Sequence, residues 1–143
     1  YFHSATGAGT LGYAIPAAIV ARRALPAPAP VVALIGDGAA QFTFMELAAA
    51  VQERLPIVVL LWNNAGYREI RAGMVAENIE PVGVDIAAPD FVAGARALGC
   101  EARRVASLED LREALAEAAS CDRPTLIDVP QETFVTQPAG QWY

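Results

Sequence analysis

The sequence predicts an α/β domain, a doubly wound and mostly parallel sheet in three layers with helices on both faces. Two unbroken apolar runs carry most of that prediction, VVALI at 31–35 and IVVLLW at 57–62. A strand covered on both faces reads as continuous Val, Ile and Leu, whereas a half-exposed strand alternates. The third observation is helical periodicity between and after these runs, and helices alternating with buried strands define a parallel sheet.

In chain order, Pro16 suits the first turn of a helix running to about residue 25. The prolines at 26, 28 and 30 then forbid helix and give a short extended connector. Strand 31–35 is stopped by Gly36-Asp37-Gly38. Thr43-Phe44-Met45-Glu46 has the form of a capping box, and Phe44, Leu47, Ala48 and Val51 follow at helical spacing, so a helix is expected up to Pro56. Strand 57–62 is stopped by Asn63-Asn64, and a short helix is expected from about Ile70. Asp90 caps a helix that turns Phe91, Ala95 and Leu98 inward and closes at Gly99, and 101–105 reads as a strand. Ser107 starts a further helix with Leu108, Leu111, Leu115 and Ala118 inward, before a last strand at 125–129.

Composition narrows the function classes. A chain of 143 residues suggests a single domain, and 55% hydrophobic against 18% charged residues is incompatible with a disordered tail. Ten basic against 16 acidic side chains leave a net charge of −6, which offers a nucleic-acid backbone no attraction. The apolar runs fall far short of the ~18–20 residues that span a bilayer, so no membrane partner is expected. Cys100 and Cys121 form no CxxC and have no His nearby, so neither zinc nor a disulfide framework is indicated and a reducing cytoplasm fits. His3, Arg22-Arg23 and Arg103-Arg104 read as solvated surface groups. The chain starts at Tyr1 without an initiator Met, which suggests a piece of a longer protein, and 130–143, ending in Trp142 and Tyr143, reads either as a mobile tail or as a segment packed over a site.

In sheets of this kind, ligands bind outside the carboxyl ends of the strands. Gly36-Asp37-Gly38 and Asn63-Asn64-Ala65-Gly66 stand at two such ends, and Asp37 and Asn64 are 27 residues apart. One right-handed crossover places them on the same rim. Either motif alone is commonly a turn. Together they supply a carboxylate and an amide oxygen, hard ligands for Mg²⁺, beside glycine backbone that phosphate oxygens can approach. The helix expected from Thr43 adds a positive dipole end. Asp37 and Asn64 read as loop residues whose removal should spare the fold.

At these residues the sequence resembles the thiamine-diphosphate-dependent enzymes. The stretch GDGAAQFTFMELAAAVQERLPIVVLLWNN carries their cofactor signature with its spacing, and the resemblance extends upstream to GAGTLGYAIPAAI at 7–19 and downstream to about 129. It is similar to the C-terminal, diphosphate-binding domain in the branch containing acetolactate synthase, benzoylformate decarboxylase and related 2-oxo acid decarboxylases. The resemblance implies that Asp37, the Asn64 side chain and the Gly66 carbonyl hold Mg²⁺. It implies that Gly38 and Ala39, after Gly36, present backbone N–H groups to the diphosphate. Leu11 would prop the cofactor in its bent conformation, the Gly9 carbonyl would accept from its aminopyrimidine, Tyr67 would pack beside the metal loop, and Ile70 would face the 2-oxo acid. Bending brings the cofactor's own amino nitrogen to the thiazolium C2 proton, where positioning alone is worth several kcal/mol.

The resemblance assigns no catalytic side chain to this chain. The family's activating Glu comes from a separate pyrimidine-binding domain, usually of a second subunit, and Glu46, Glu53 and Glu69 do not stand at its position. Residues 1–143 therefore match one domain of a three-domain, homo-oligomeric enzyme and should be inactive alone. In the pyruvate decarboxylase branch a Glu occupies the place of Ile70, so an apolar pocket wall points to a synthase or to a decarboxylase of a larger 2-oxo acid.

Two alternatives stand beside this reading. Gly7-Ala8-Gly9-Thr10-Leu11-Gly12 is a literal G-x-G-x-x-G and Asp37 ends a strand 25 residues beyond Gly12, close to the NAD(P)-binding fingerprint of a Rossmann domain. That fingerprint needs a strand immediately before Gly7 and gives Asn63-Asn64 no task. The other alternative is a non-catalytic interaction domain that retains the fold.

Overall fold

The structure, a computed structural model, describes residues 2–26 and 29–135. Strands β1 (Val32–Gly36), β2 (Val58–Asn63), β3 (Glu101–Arg104) and β4 (Thr125–Pro130) form one parallel sheet in the order β1-β2-β4-β3. The helices are α1 (Ala14–Ala24), α2 (Asp37–Ala40), α3 (Leu47–Gln52), α4 (Arg68–Ala76), α5 (Phe91–Ala97), α6 (Leu108–Ala119) and α7 (Gln131–Phe134), with a 3-10 turn over Phe44–Glu46.

Right-handed crossovers dictate the layers. The connections from β1 to β2 and from β2 to β3 move in one direction across the sheet and put α3 and α5 on one face. The connection from β3 back to β4 reverses, which puts α6 on the other. The two cores follow this division. Ile15, Ile35, Leu47, Leu61, Phe91 and Leu126 pack on the first face, and Val105, Ala114, Ala118, Ile127 and Val129 on the second. The predicted fold class is therefore present.

One strand departs from expectation. β1 is an edge strand, burying Ala33 and Ile35 but leaving Val32 51% and Leu34 63% exposed, because α6 lies over β2 and β4 and does not reach it. Continuous hydrophobicity in 31–35 predicted cover on both faces, and among the described residues only one face is covered.

The helix expected from Thr43 also forms differently. The Thr43 hydroxyl donates to the Gly12 carbonyl at 2.8 Å, 31 residues away, and does not cap the helix. A 3-10 turn intervenes; Phe44, Leu47 and Val51 pack on the core as expected, whereas Ala48 is exposed and Ala50 is the buried alanine. Gly12 has φ +81°, and a Cβ there would lie 2.8 Å from Thr43 Cγ2, so the contact requires glycine on both counts.

The caps at Asp90 and Ser107 form as expected, accepting from the Ala93 and Asp110 amides at 2.9 and 3.1 Å. In α6 the inward stripe is Leu111, Ala114, Leu115 and Ala118, and Leu108, expected inside, is 54% exposed in the first turn. The arginine pairs are not merely solvated. Arg23 meets Glu53 at 2.8 Å, Arg22 donates to the Leu25 carbonyl at 2.7 Å, and Arg103 bridges Asp110 and Glu117. Of the stretch 130–143, residues 131–134 form α7, where Gln131 accepts from the Trp62 indole at 3.0 Å and Phe134 tilts over the same ring. Residues 136–143, with Trp142 and Tyr143, lie outside the described residues. No helix among the described residues is long and apolar enough to cross a membrane.

Candidate cofactor and metal site

The parallel register sets β1 and β2 ending side by side, with Gly36 opposite Trp62. The chain leaves both strands on one rim, bringing Asp37 and residues 63–66 together. Asp37 is 2% exposed, and its carboxylate accepts from the Gly66 amide at 2.8 Å and the Asn64 amide at 3.4 Å. It stands at the start of α2 as a buried anchor of the loop after β2, not at a loop position outside the core as expected. Truncation to Ala would leave the buried Gly66 N–H unpaired, a loss of about 1–3 kcal/mol.

One terminal atom of the Asn64 side-chain amide lies 2.8 Å from the Gly66 carbonyl oxygen and 3.2 Å from Asp37 Oδ1. With the NH₂ group turned inward, it donates to both oxygens. With the amide oxygen turned inward, three oxygens converge with nothing to separate their negative ends, an arrangement that a cation stabilises. In an octahedron with bonds of about 2.1 Å, neighbouring ligands stand about 3.0 Å apart, and these spacings bracket that edge. The donor set of one carboxylate, one amide and one carbonyl therefore fits a hard cation that keeps further positions for phosphate or water. Among the described residues no three His, Cys, Asp or Glu side chains cluster as a metal site.

Gly36, Asp37, Gly38 and Ala39 continue this rim. Asp37 begins α2, so the amides of its first turn have no partner within the helix. The N-terminus facing this rim is thus that of α2, not of the helix expected from Thr43. The Tyr67 ring lies on Gly38, where a Cβ would stand 2.7 Å from Cδ1 and 2.8 Å from Cε1. Tyr67 is held in turn by its own N–H, which donates to the Val84 carbonyl at 3.3 Å. Gly66 has φ +146°, a conformation that an L side chain rarely adopts.

The other predicted residues are not drawn into this cluster by a hydrogen bond among the described residues. Gly9 lies in the loop before α1, its N–H donating to the Ala5 carbonyl at 2.9 Å, and Leu11 is 50% exposed. Ile70 is 53% exposed on α4, a helix with no buried residue. The dinucleotide reading finds no support: residues 2–6 form no strand before Gly7, and the Asp37 carboxylate is engaged by two loop amides.

Sequence reasoning missed a second polar cluster beneath the same loop. Asp128, 1% exposed, accepts from Asn63 Nδ2 at 3.0 Å and from Arg104 Nε at 2.8 Å, and Asn63 Oδ1 accepts from the Ala65 amide at 3.0 Å. The available signal was a lone carboxylate inside TLIDVP, a strand buried at every position. A cavity of about 520 Å³ opens beside this cluster, lined among others by Asn63, Ala65, Asp90, Arg96, Arg104 and Glu132. None of the predicted site residues lines it.

In a parallel sheet of this kind, the strand ends that gather Asp37 and residues 63–66 beside the start of α2 are the rim where ligands bind. Residues 1–129 match the family described as thiamine pyrophosphate enzyme, C-terminal TPP binding domain, and the chain belongs to that family. It is 43% identical over 125 residues to a probable 2-ketoarginine decarboxylase of Pseudomonas aeruginosa, a match covering 87% of this chain and 22% of that protein. It is 42% identical over 136 residues to benzoylformate decarboxylase of the same organism, covering 94% of this chain and 25% of that protein. The solved structure of a thiamine diphosphate-dependent 4-hydroxybenzoylformate decarboxylase from Rhodococcus jostii RHA1 superposes with a TM-score of 0.79 at 36% identity, over 85% of this chain and 23% of that one. The chain thus spans about a quarter of the length of these relatives.

Proposed function

We propose that this chain is the diphosphate-anchoring domain of a thiamine-diphosphate-dependent enzyme acting on 2-oxo acids, an acetolactate synthase-like enzyme or a decarboxylase of a 2-oxo acid larger than pyruvate. The observation that carries the reading is the position of the Asn64 side-chain amide, one terminal atom of which stands 2.8 Å from the Gly66 carbonyl oxygen and 3.2 Å from Asp37 Oδ1, the spacing of an octahedral edge. In this reading Asp37, the Asn64 amide oxygen and the Gly66 carbonyl hold Mg²⁺, and the Gly38 and Ala39 amides face the diphosphate. When bound, the cofactor supplies a thiazolium that accepts the electron pair left by loss of CO₂.

The chain's own residues bind and orient. Asp37 fixes the loop after β2 through the Gly66 and Asn64 amides, Tyr67 fills the space above Gly38, Leu11 supports the bent cofactor, and the Gly9 carbonyl accepts from its pyrimidine. Ile70 cannot move a proton and shapes the wall against the substrate side chain. This agrees with relatives whose names specify 2-ketoarginine and benzoylformate, both larger than pyruvate. The activating Glu comes from a further domain of the parent enzyme. In support, Glu53 is engaged by Arg23 and Glu46 is exposed on the 3-10 turn.

Titration of the apo protein with thiamine diphosphate and Mg²⁺, in parallel with NAD, tests the reading. Mg²⁺-dependent cofactor binding that is lost in Asp37→Ala and Asn64→Ala is the expected result. Binding of NAD, or unchanged cofactor affinity in either variant, overturns it. Turnover of pyruvate by the 143-residue chain alone would overturn the assignment of the activating Glu to another domain.

A further inference from the structure

We infer that Asn63, Asp128 and Arg104 form a positioning relay that sets the metal-binding loop, an inference that rests on the Mg²⁺ reading above. The relay runs from solvent to the loop. Arg104, at the end of β3, donates through Nε to Asp128 Oδ2 at 2.8 Å, and its Nη2 forms an ion pair with the same oxygen at 2.8 Å. Asp128 Oδ1 accepts from Asn63 Nδ2 at 3.0 Å, and Asn63 Oδ1 accepts from the Ala65 amide at 3.0 Å. The register makes this unavoidable, since Arg104 and Asp128 are direct partners across β3 and β4, and Asn63 lies two positions beyond Leu61, the partner of Asp128.

Ala65 is the residue this relay controls. It sits between the two loop ligands, Asn64 and Gly66, with φ +60°, a left-handed conformation that a non-glycine residue adopts only when its surroundings impose it. The Asn63 side chain supplies that constraint, and Asp128 fixes the Asn63 amide with its oxygen toward Ala65, because the NH₂ end must face the carboxylate. Arg104 in turn neutralises a carboxylate that would otherwise be buried without a counter-ion. Relaxation of Ala65 would rotate the Asn64 and Gly66 oxygens apart. A hydrogen-bonded chain, buried at Asp128 and Asn63, that ends on the left-handed residue between two ligands is arranged to orient them, as outer partners of metal ligands do elsewhere.

The test uses the parent enzyme, stripped of metal and titrated with Mn²⁺ in the presence of thiamine diphosphate, with bound metal followed by electron paramagnetic resonance. Asn63→Ala and Asp128→Ala should raise the metal Kd by about 10- to 100-fold. Asn63→Ala/Ala65→Gly should regain part of that loss, because glycine holds φ +60° without the tether. Arg104→Met, altered at a side chain 60% exposed, keeps the test available if Asp128→Ala does not fold, and should also weaken metal binding. Wild-type Kd in Asn63→Ala or Arg104→Met, or no recovery on adding Ala65→Gly, overturns the relay. Asp37→Ala separates the two readings. If it abolishes metal binding while the relay variants bind normally, only the relay fails, whereas if it leaves binding intact the metal assignment itself fails.

Discussion

Gly38→Ala should destabilise the protein, and the reason should lie entirely in Tyr67. Gly38 occupies the first turn of α2 without a left-handed φ, so alanine there should gain about 0.5–1 kcal/mol from reduced unfolded-chain freedom and better helix propensity. Against this gain, the new Cβ would stand 2.7 Å from Tyr67 Cδ1. The Tyr67 backbone is tied to Val84, so relief of the overlap requires the side chain itself to rotate off Gly38. Forcing such an overlap costs about 1–3 kcal/mol, so the net loss should be about 0.5–2 kcal/mol, or about 2–8 °C in Tm. In a Tyr67→Ala background the overlap disappears and the same substitution should be neutral or stabilising by up to about 1 kcal/mol. The measurement is a double-mutant cycle by urea unfolding of wild type, both single variants and the double variant. A coupling of about 1–3 kcal/mol with a change of sign is expected. An equal loss in both backgrounds would show that the ring does not set the requirement for glycine, and would remove Tyr67 from the description of the site.

Other predictions follow from single features. Ile70→Ala in the parent enzyme should change kcat/KM among 2-oxo acids by side-chain size, by about 10-fold or more for the best-discriminated pair, while cofactor affinity stays near wild type; an unaltered profile in steady-state kinetics removes Ile70 from the pocket. Burial pushes the Cys100 thiol up to about 11, with Glu101 adding to the shift, so at pH 8 only about one thiol in a thousand is ionised, and a disulfide reagent should modify the half-buried Cys121 first. Equal rates at the two cysteines would contradict this. The Ala106 N–H, aided by Arg103, holds the Asp110 carboxyl below its ordinary 3.8, so its contribution to stability is present above that pH and is lost as pH falls through the depressed value. The stability gap between wild type and Asp110→Asn in urea unfolding should therefore be present at pH 7 and close in strong acid; a gap that persists there would refute the linkage.

The sequence by itself determined whatever depends on residues close along the chain. Strands at 31–35 and 57–62, the caps at Asp90 and Ser107, and the pairing of Asp37 with Asn64 through one crossover follow from apolar runs, three-residue hydrogen bonds and the fixed hand of parallel connections. The family signature was legible for the same reason, as it occupies one continuous stretch. Tertiary structure decided the rest, because those features depend on neighbours far apart in the chain. Thr43 has the local form of a cap, but its hydroxyl is taken by the Gly12 carbonyl, and a 3-10 turn precedes α3. Residues 31–35 have the composition of a central strand, yet β1 is an edge, since strand order and the reach of α6 cannot be read from five side chains. Asp128 shows in the sequence only as an isolated acid in an apolar strand, and Arg104 as half of a basic pair. Their junction with Asn63 spans separations of 24 and 65 residues and exists only once β4 inserts between β2 and β3, because sheet register, not sequence proximity, brings a buried carboxylate to its donors.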